Sequence, residues 1–210
     1  MTHRVLIADD HDIVREGIKN LLQHGGYEIV GEAANGRDAV ALSKKLRPDV
    51  ILLDISMPVL NGIDAAREIH VICPQAKMIL LTIHQEEHFV LEALRAGIKG
   101  YLLKTHVSVD LVKAIEATLR GEVYLCSGIS GAVVNAALQS RAAEINPLTQ
   151  RERAVLQLIA EGKSNKEVAA HLGISVKTAE AHRRNIMLKL DIHETAGLVR
   201  HAIRIGLIEP

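Results

Sequence analysis

Cysteine is scarce in this sequence, and long apolar runs are missing altogether. Cys73 and Cys126 are the two cysteines in 210 residues, and they stand far apart with no C-x-x-C spacing. That argues against a disulfide framework or a zinc cage and suits a reducing cytoplasm. The opening "MTHRVLIADD" is too brief and too acidic for a signal peptide, and no later run reaches membrane length. A soluble, cytoplasmic chain without membrane contact is expected. Net charge is lacking as well, at +0, but its distribution is uneven: residues 147–210 carry 10 Lys+Arg against 7 Asp+Glu, leaving 15 against 18 before them. Only the tail leans toward a polyanion such as nucleic acid.

What is present is first a rhythm. "RVLIA", "EIVGEA", "VILLD", "KMILLT" and "KGYLL" alternate with amphipathic stretches near residues 12–23, 37–46, 62–72, 86–95 and 108–119. Apolar strands separated by helices indicate a parallel sheet covered on both faces. An open doubly wound α/β domain over residues 1–120 fits, whereas a closed eight-stranded barrel needs about twice as much chain. The rhythm stops at Gly121, and residues 121–143 read as a linker. Residues 144–210 then read as a compact unit of short helices, with starts at Thr149, Ser164, Ser175 and His193 or Glu194, punctuated by Gly162, Gly173 and Asp191.

In a parallel doubly wound sheet, residues just past the carboxyl ends of the strands collect on one rim. That rim receives Asp9 and Asp10 from the first strand, Asp54 from the third, Thr82 from the fourth and Lys104 from the fifth. Three crowded carboxylates repel unless a cation sits among them, and oxygen ligands favour a hard ion such as Mg2+. Lys104 adds a mobile positive charge and Thr82 a hydroxyl donor. A metal, an ammonium and a hydroxyl around one carboxylate suit a transferring phosphoryl group, with Asp54 as acceptor. Each residue alone is equally a strand-end cap or a loop acid; it is their coincidence at matching strand ends that carries the argument.

Three patterns lead elsewhere. "HQEEH" puts His84 and His88 at the spacing of a zinc-protease helix, but Gln85 stands where that motif needs glutamate. "GKS" at 162–164 lacks both the earlier glycine and the preceding strand of a phosphate-binding loop. A phosphohydrolase of the haloacid dehalogenase type also forms an aspartyl phosphate, yet it places a second acid two residues on, where Ser56 stands here. Without that acid, a slowly released phosphoryl group is expected rather than turnover of many substrates.

In the tail, an apolar helix, the tight "LGIS" turn and a second helix capped by Ser175 form a helix-turn-helix. On the second helix Val176, Ala179, Ile186 and Leu190 share one stripe. Lys177, Ala181, Arg184 and Asn185 share the opposite one, with Glu180 at its margin. One docked face and one basic outward face suit the major groove, although cationic faces are also commonly just solvated.

Residues 4–120 resemble a bacterial response-regulator receiver domain, with "IADDH", "LLDISMPVLNG", "LLT" and "GYLLK" standing where that family has its pocket motifs. "LTQRERAVLQLIAEGKSNKEVAAHLGISVKTAEAHRRNIMLKL" resembles the four-helix DNA-binding domain of LuxR-type regulators, and the whole chain resembles the NarL/FixJ class. The resemblance implies a flavodoxin-like sheet of order 2-1-3-4-5 followed by an all-α helix-turn-helix domain. It implies Mg2+ held by Asp10, Asp54 and the Ser56 backbone carbonyl with Asp9 in support, and a sensor histidine kinase as donor. Pro58 and Gly62 would shape the loop after the acceptor, the proline by removing a donor and the glycine by permitting unusual dihedrals. Thr82 and Tyr101 would form the switch pair, although Ile83 and Ile98 are bulkier than the small residues often found beside it.

By the same resemblance Lys177 and Thr178 would meet backbone phosphate and Glu180, Ala181 and Arg184 would face bases. "ETAGLVRHAIRIG" would pair two copies on promoter DNA, with RNA polymerase as a further partner. The expectation is a phosphorylation-controlled transcription factor and not an enzyme. The alternative is a constitutive DNA binder whose receiver pocket senses something else or nothing.

Overall fold

The computed structural model describes residues 2–83, 87–126, 129 and 148–208. Its backbone divides into two compact units, each with its own hydrophobic core.

The first unit alternates strands β1 (Arg4–Ala8), β2 (Glu28–Ala33), β3 (Val50–Asp54), β4 (Lys77–Thr82) and β5 (Gly100–Leu103) with helices α1 (Asp12–His24), α2 (Gly36–Leu46), α3 (Gly62–Ile72), α4 (Glu87–Arg95) and α5 (Val107–Leu119). All pairings are parallel. The residues of β3 are buried from end to end, as expected of a central strand covered on both faces. Helices α1 and α5 pack on one another, as do α2 and α3. Asn35 and Asn61 start α2 and α3 by accepting from the backbone N–H groups of Asp38 and Asp64.

One expectation needs correction. Among the described residues the sheet has six strands, in the order β2-β1-β3-β4-β5-β6, because Tyr124–Leu125 forms β6 beside β5. Gly121 turns the chain at φ +87° after α5, Tyr124 N donates to Lys99 O at 2.8 Å, and Cys126 N donates to Tyr101 O at 3.2 Å. The segment read as the first part of a linker thus covers what would have been an open sheet edge. The remainder of the expected linker, apart from residue 129, lies outside the described residues, as do residues 144–147. So do His84 and Gln85 of the histidine pair and the side chain of His88.

The second unit contains α6 (Gln150–Ala160), α7 (Asn165–Leu172), α8 (Val176–Leu190) and α9 (Thr195–Arg204). Thr149 and Ser164 each form a reciprocal capping box, with Glu152 and Glu167, and Ser175 accepts from Thr178 N. Ser164 of "GKS" is therefore a helix cap, not part of a phosphate cradle. Gly173 and Asp191 end α7 and α8 in the left-handed conformation. Leu156, Ile159, Val168, Ala179, Ile186 and Leu198 close the core between the four helices.

Candidate functional site

Strand ends set the pocket. Asp54, the last residue of β3, is 2% exposed; Asp9, just past β1, and Thr82, the last residue of β4, are buried as well. Lys104 follows β5 directly, and its Nζ stands 2.9 Å from Asp9 Oδ2 and 3.0 Å from Asp54 Oδ1. Asp10 is half-buried beside them, and its Oδ1 lies 2.9 Å from His11 Nδ1. The structure therefore brings Asp9, Asp10, Asp54 and Lys104 together as the sequence predicts. Thr82 ends the neighbouring strand, one residue beyond Leu81, the register partner of Asp54.

Burial is the main influence on Asp54. It pushes the carboxyl up to about 6, Lys104 opposes it, and Asp9 and Asp10 add to it. For Lys104, burial pulls downward but the carboxylates of Asp54 and Asp9 outweigh it, so the ammonium is held above its ordinary value. Asp10 holds the His11 imidazole above its ordinary value, against burial and Lys104. Asp54 Oδ2 is buried without a hydrogen-bond partner among the described residues. Such an orphaned oxygen is costly unless an ion or a ligand meets it. With Asp9, Asp10 and His11 it belongs to a group whose ligand atoms all lie within 4.8 Å of one another, so the donor set fits a metal ion.

The loop after β3 is strained locally. Leu60 N donates to Pro58 O at 2.8 Å, a three-residue γ-turn, and Val59 at its centre has φ +69°. A β-branched residue rarely adopts that conformation. Gly62 has a different role from the one expected. Its φ is not in the left-handed region, but a Cβ there would lie 1.9 Å from the Asp54 carbonyl oxygen, so close approach requires glycine. Ser56 lies in the bend two residues past Asp54. Tyr101 is 1% exposed and, with β6 outside β5, is not an edge aromatic.

Two pocket residues escaped the sequence reading of the site. Arg15 Nη1 donates to the Asp9 carbonyl at 2.7 Å, and the guanidinium also pairs with Asp12. His11 N donates to Asp9 Oδ1 at 2.9 Å. An arginine a turn into the helix and a histidine inside "DDH" were the available signals, but neither acquires meaning until the β1–α1 turn is built.

On α8, Lys177, Thr178, Glu180, Ala181, Arg184 and Asn185 are all exposed, while Ala179 and Ile186 are buried. Lys177 and Arg184 form no ion pair among the described residues, which leaves their charges available to a ligand. Thr178 Oγ1 lies 2.7 Å from Ser175 Oγ at the helix start. Val176 does not belong to the docked stripe; at 42% exposure it stands on the first turn, before the helix reaches the core. Arg183 is turned inward, donating to Thr195 Oγ1 at 2.6 Å.

A receiver-like pocket on a parallel sheet together with a helix-turn-helix unit defines a signal-dependent DNA-binding regulator. The sequence matches the response regulator receiver domain over residues 5–116 and the bacterial regulatory proteins of the luxR family over residues 146–202. It is 37% identical over 206 residues to the transcriptional regulatory protein MctR of Rhizobium johnstonii, covering 98% of this chain and 95% of that one. It is 38% identical over 210 residues to the response regulator protein VraR of Staphylococcus aureus, covering 100% of both. Among solved structures, RcsB from Salmonella enterica serovar Typhimurium, bound to a promoter in the presence of the phosphomimetic BeF3−, is similar at 28% identity with a TM-score of 0.65, over 96% of this chain and 98% of that one. The chain belongs to the LuxR family of two-component response regulators. It is a phosphorylation-regulated, DNA-binding transcription regulator rather than an enzyme, and its acidic pocket is compatible with a metal ion. No helix among the described residues is long and apolar enough to cross a membrane.

Proposed function

We propose that Asp54 is the phosphoacceptor and that a sensor histidine kinase is the donor. The observation that carries this reading is the Asp54 side chain: one oxygen is held at 3.0 Å by Lys104 and the other is buried and unpartnered. In the transfer, an Asp54 oxygen forms the new P–O bond while the P–N bond to the donor imidazole breaks, its electron pair staying on that nitrogen. Asp10, Asp54 and the Ser56 carbonyl would hold Mg2+, with Asp9 in support; when bound, the ion neutralises charge on the phosphoryl oxygens. Lys104 offers its ammonium to the same group. Thr82 supplies a hydroxyl at the adjacent strand end, and Tyr101 follows it as the second half of the switch.

The output is carried by α8. Lys177 and Thr178 meet backbone phosphate, and Glu180, Ala181 and Arg184 face bases of promoter DNA. Their common exposure on one helix face supports this, as does the promoter bound by RcsB. The protein acts in the cytoplasm as a homodimer on DNA and engages RNA polymerase there. The receiver runs from residue 1 through β6, the DNA-binding domain occupies residues 144–210, and the residues between them join the two.

Labelling with acetyl phosphate and Mg2+ tests the acceptor. Intact mass should rise by one phosphoryl group in the wild type and not in Asp54→Asn. Undiminished labelling of Asp54→Asn would sink the assignment. Footprinting of genomic DNA with and without the phosphodonor then tests control of binding.

A further inference from the structure

His11 sits at the N-cap of α1, yet its side chain makes no cap hydrogen bond. The ring is instead turned onto the acids: Nδ1 lies 2.9 Å from Asp10 Oδ1 and 3.3 Å from Asp9 Oδ1. The side chain is 51% exposed, so it closes the solvent side of a pocket whose inner wall is Asp54 and Lys104. Ligand atoms of Asp9, Asp10, His11 and Asp54 all fall within 4.8 Å of one another. Around one octahedral ion with bonds near 2.1 Å, adjacent ligand atoms are separated by about 3.0 Å and opposite ones by about 4.2 Å. The nitrogen is therefore already at the spacing of an adjacent ligand to Asp10. Asp54 Oδ2, buried and without a hydrogen-bond partner, points independently to an ion at this place.

We propose that His11 is a nitrogen ligand open to the pocket's cation, which raises the pocket's affinity for a first-row divalent transition ion of the Mn2+ kind more than its affinity for Mg2+. The proposal rests on the reading that the acidic pocket holds a metal. Mg2+ keeps oxygen ligands and sheds water reluctantly, whereas imidazole suits transition ions, whose affinity for mixed nitrogen and oxygen sites rises along the first row. Coordination through Nδ1 needs its lone pair and leaves the N–H on Nε2, on the open side of the ring. The same nitrogen is the one that forms the ion pair with Asp10.

The test uses the full-length protein loaded with Mn2+. Pulsed electron paramagnetic resonance should detect imidazole nitrogen coupling in the wild type and not in His11→Ala. His11→Gln, which preserves side-chain length and hydrogen bonding without an imidazole, should lose it too. Calorimetric titration should show Mn2+ affinity falling roughly tenfold or more in both variants, since loss of even an outer-shell partner costs about 10–100-fold, with Mg2+ affinity changing less. Identical spectra for wild type and variants, or an unchanged ratio of Mn2+ to Mg2+ affinity, overturn the proposal. If both ions bind the wild type without nitrogen coupling, only the role of His11 falls. If neither ion binds, the metal reading falls with it.

Discussion

Gly62 lies directly behind Asp54: a methyl group added at Gly62 would stand 1.9 Å from the Asp54 carbonyl oxygen. Backbone, not a flexible side chain, is in the way, so either β3 or the start of α3 must move. Gly62→Ala should cost about 1–3 kcal/mol, the range for overpacking. It should also slow acetyl phosphate labelling, because the displaced atom belongs to the residue proposed as the acceptor. Urea unfolding and a labelling time course check both, and a variant of wild-type stability would show that the loop yields freely.

Asp54→Asn should make the metal-free protein more stable. The wild-type carboxyl is buried and pushed up to about 6, and at neutral pH it is nonetheless ionised beside Asp9 and Asp10. Removing that charge relieves like-charge crowding, and Lys104 keeps Asp9 as a partner at 2.9 Å. The rise from 3.8 to about 6 sets a ceiling of about 3 kcal/mol, and loss of the Lys104 contact reduces the gain to about 1–2 kcal/mol. Urea midpoints in the presence of a chelator should rise in the variant. Added Mg2+ should stabilise the wild type more and close the gap. A lower midpoint for the variant in chelator would contradict this account.

Arg15 is expected to position Asp9. Its Nη1 donates to the Asp9 carbonyl at 2.7 Å, while Nε stands 3.8 Å from Glu32 Oε2. Arg15→Met keeps the stem and removes the donors. Mg2+ affinity should fall about tenfold, as for other groups that orient a metal ligand, while the fold is retained. Calorimetry measures the first and circular dichroism the second; an unaltered Mg2+ affinity would remove Arg15 from the site.

Much of this was legible in the sequence because it depends on local pattern. The runs at Val5–Ala8, Val50–Leu53 and Met78–Leu81 announce buried parallel strands, and Thr149, Ser164 and Ser175 announce helix starts by their chemistry. What escaped depends on partners. Two residues, Tyr124 and Leu125, show no periodicity and become a strand only through hydrogen bonds with β5. Val176 has the period of the docked stripe, but a helical wheel does not say where the partner surface ends. The sequence suggests dihedral freedom for Gly62, because an atom 1.9 Å away across the loop has no trace in the chain's order.

Arg184 and Lys177 should differ in kind. Both are exposed on α8 and form no ion pair among the described residues, but they occupy different turns of the helix. Arg184→Ala should weaken specific sites by about 1–3 kcal/mol and relax base choice at one position, whereas Lys177→Ala should weaken all sequences alike and lower the salt dependence. Selection from a random DNA pool and titrations at several salt concentrations separate them. An unchanged selected motif with Arg184→Ala would mean that Arg184 does not read bases.

The orientation of α8 is tied to the start of α6 by one carboxylate, which makes it sensitive to acid. Lys189 Nζ lies 2.6 Å from Glu152 Oε2, and the same oxygen accepts from Thr149 N and Thr149 Oγ1, each at 2.9 Å. Burial pushes the Glu152 carboxyl up, but the bonds from Lys189 and Thr149 outweigh it and hold the group below its ordinary value of 4.5. A carboxyl that is more acidic in the folded state binds its proton more readily in the unfolded one. Its contribution is therefore complete above 4.5 and is lost as pH falls through the lowered folded value. Lys189 is more than a third exposed, so solvent screens the pair and Lys189→Met should cost no more than about 1 kcal/mol at neutral pH. Glu152→Gln should lose more, because the capping box weakens as well. Thermal unfolding followed from neutral pH into acid should show the wild type falling toward the Glu152→Gln curve, with their difference shrinking below 4.5. A gap that stays constant across that range would mean that the carboxylate contributes through shape and not through charge.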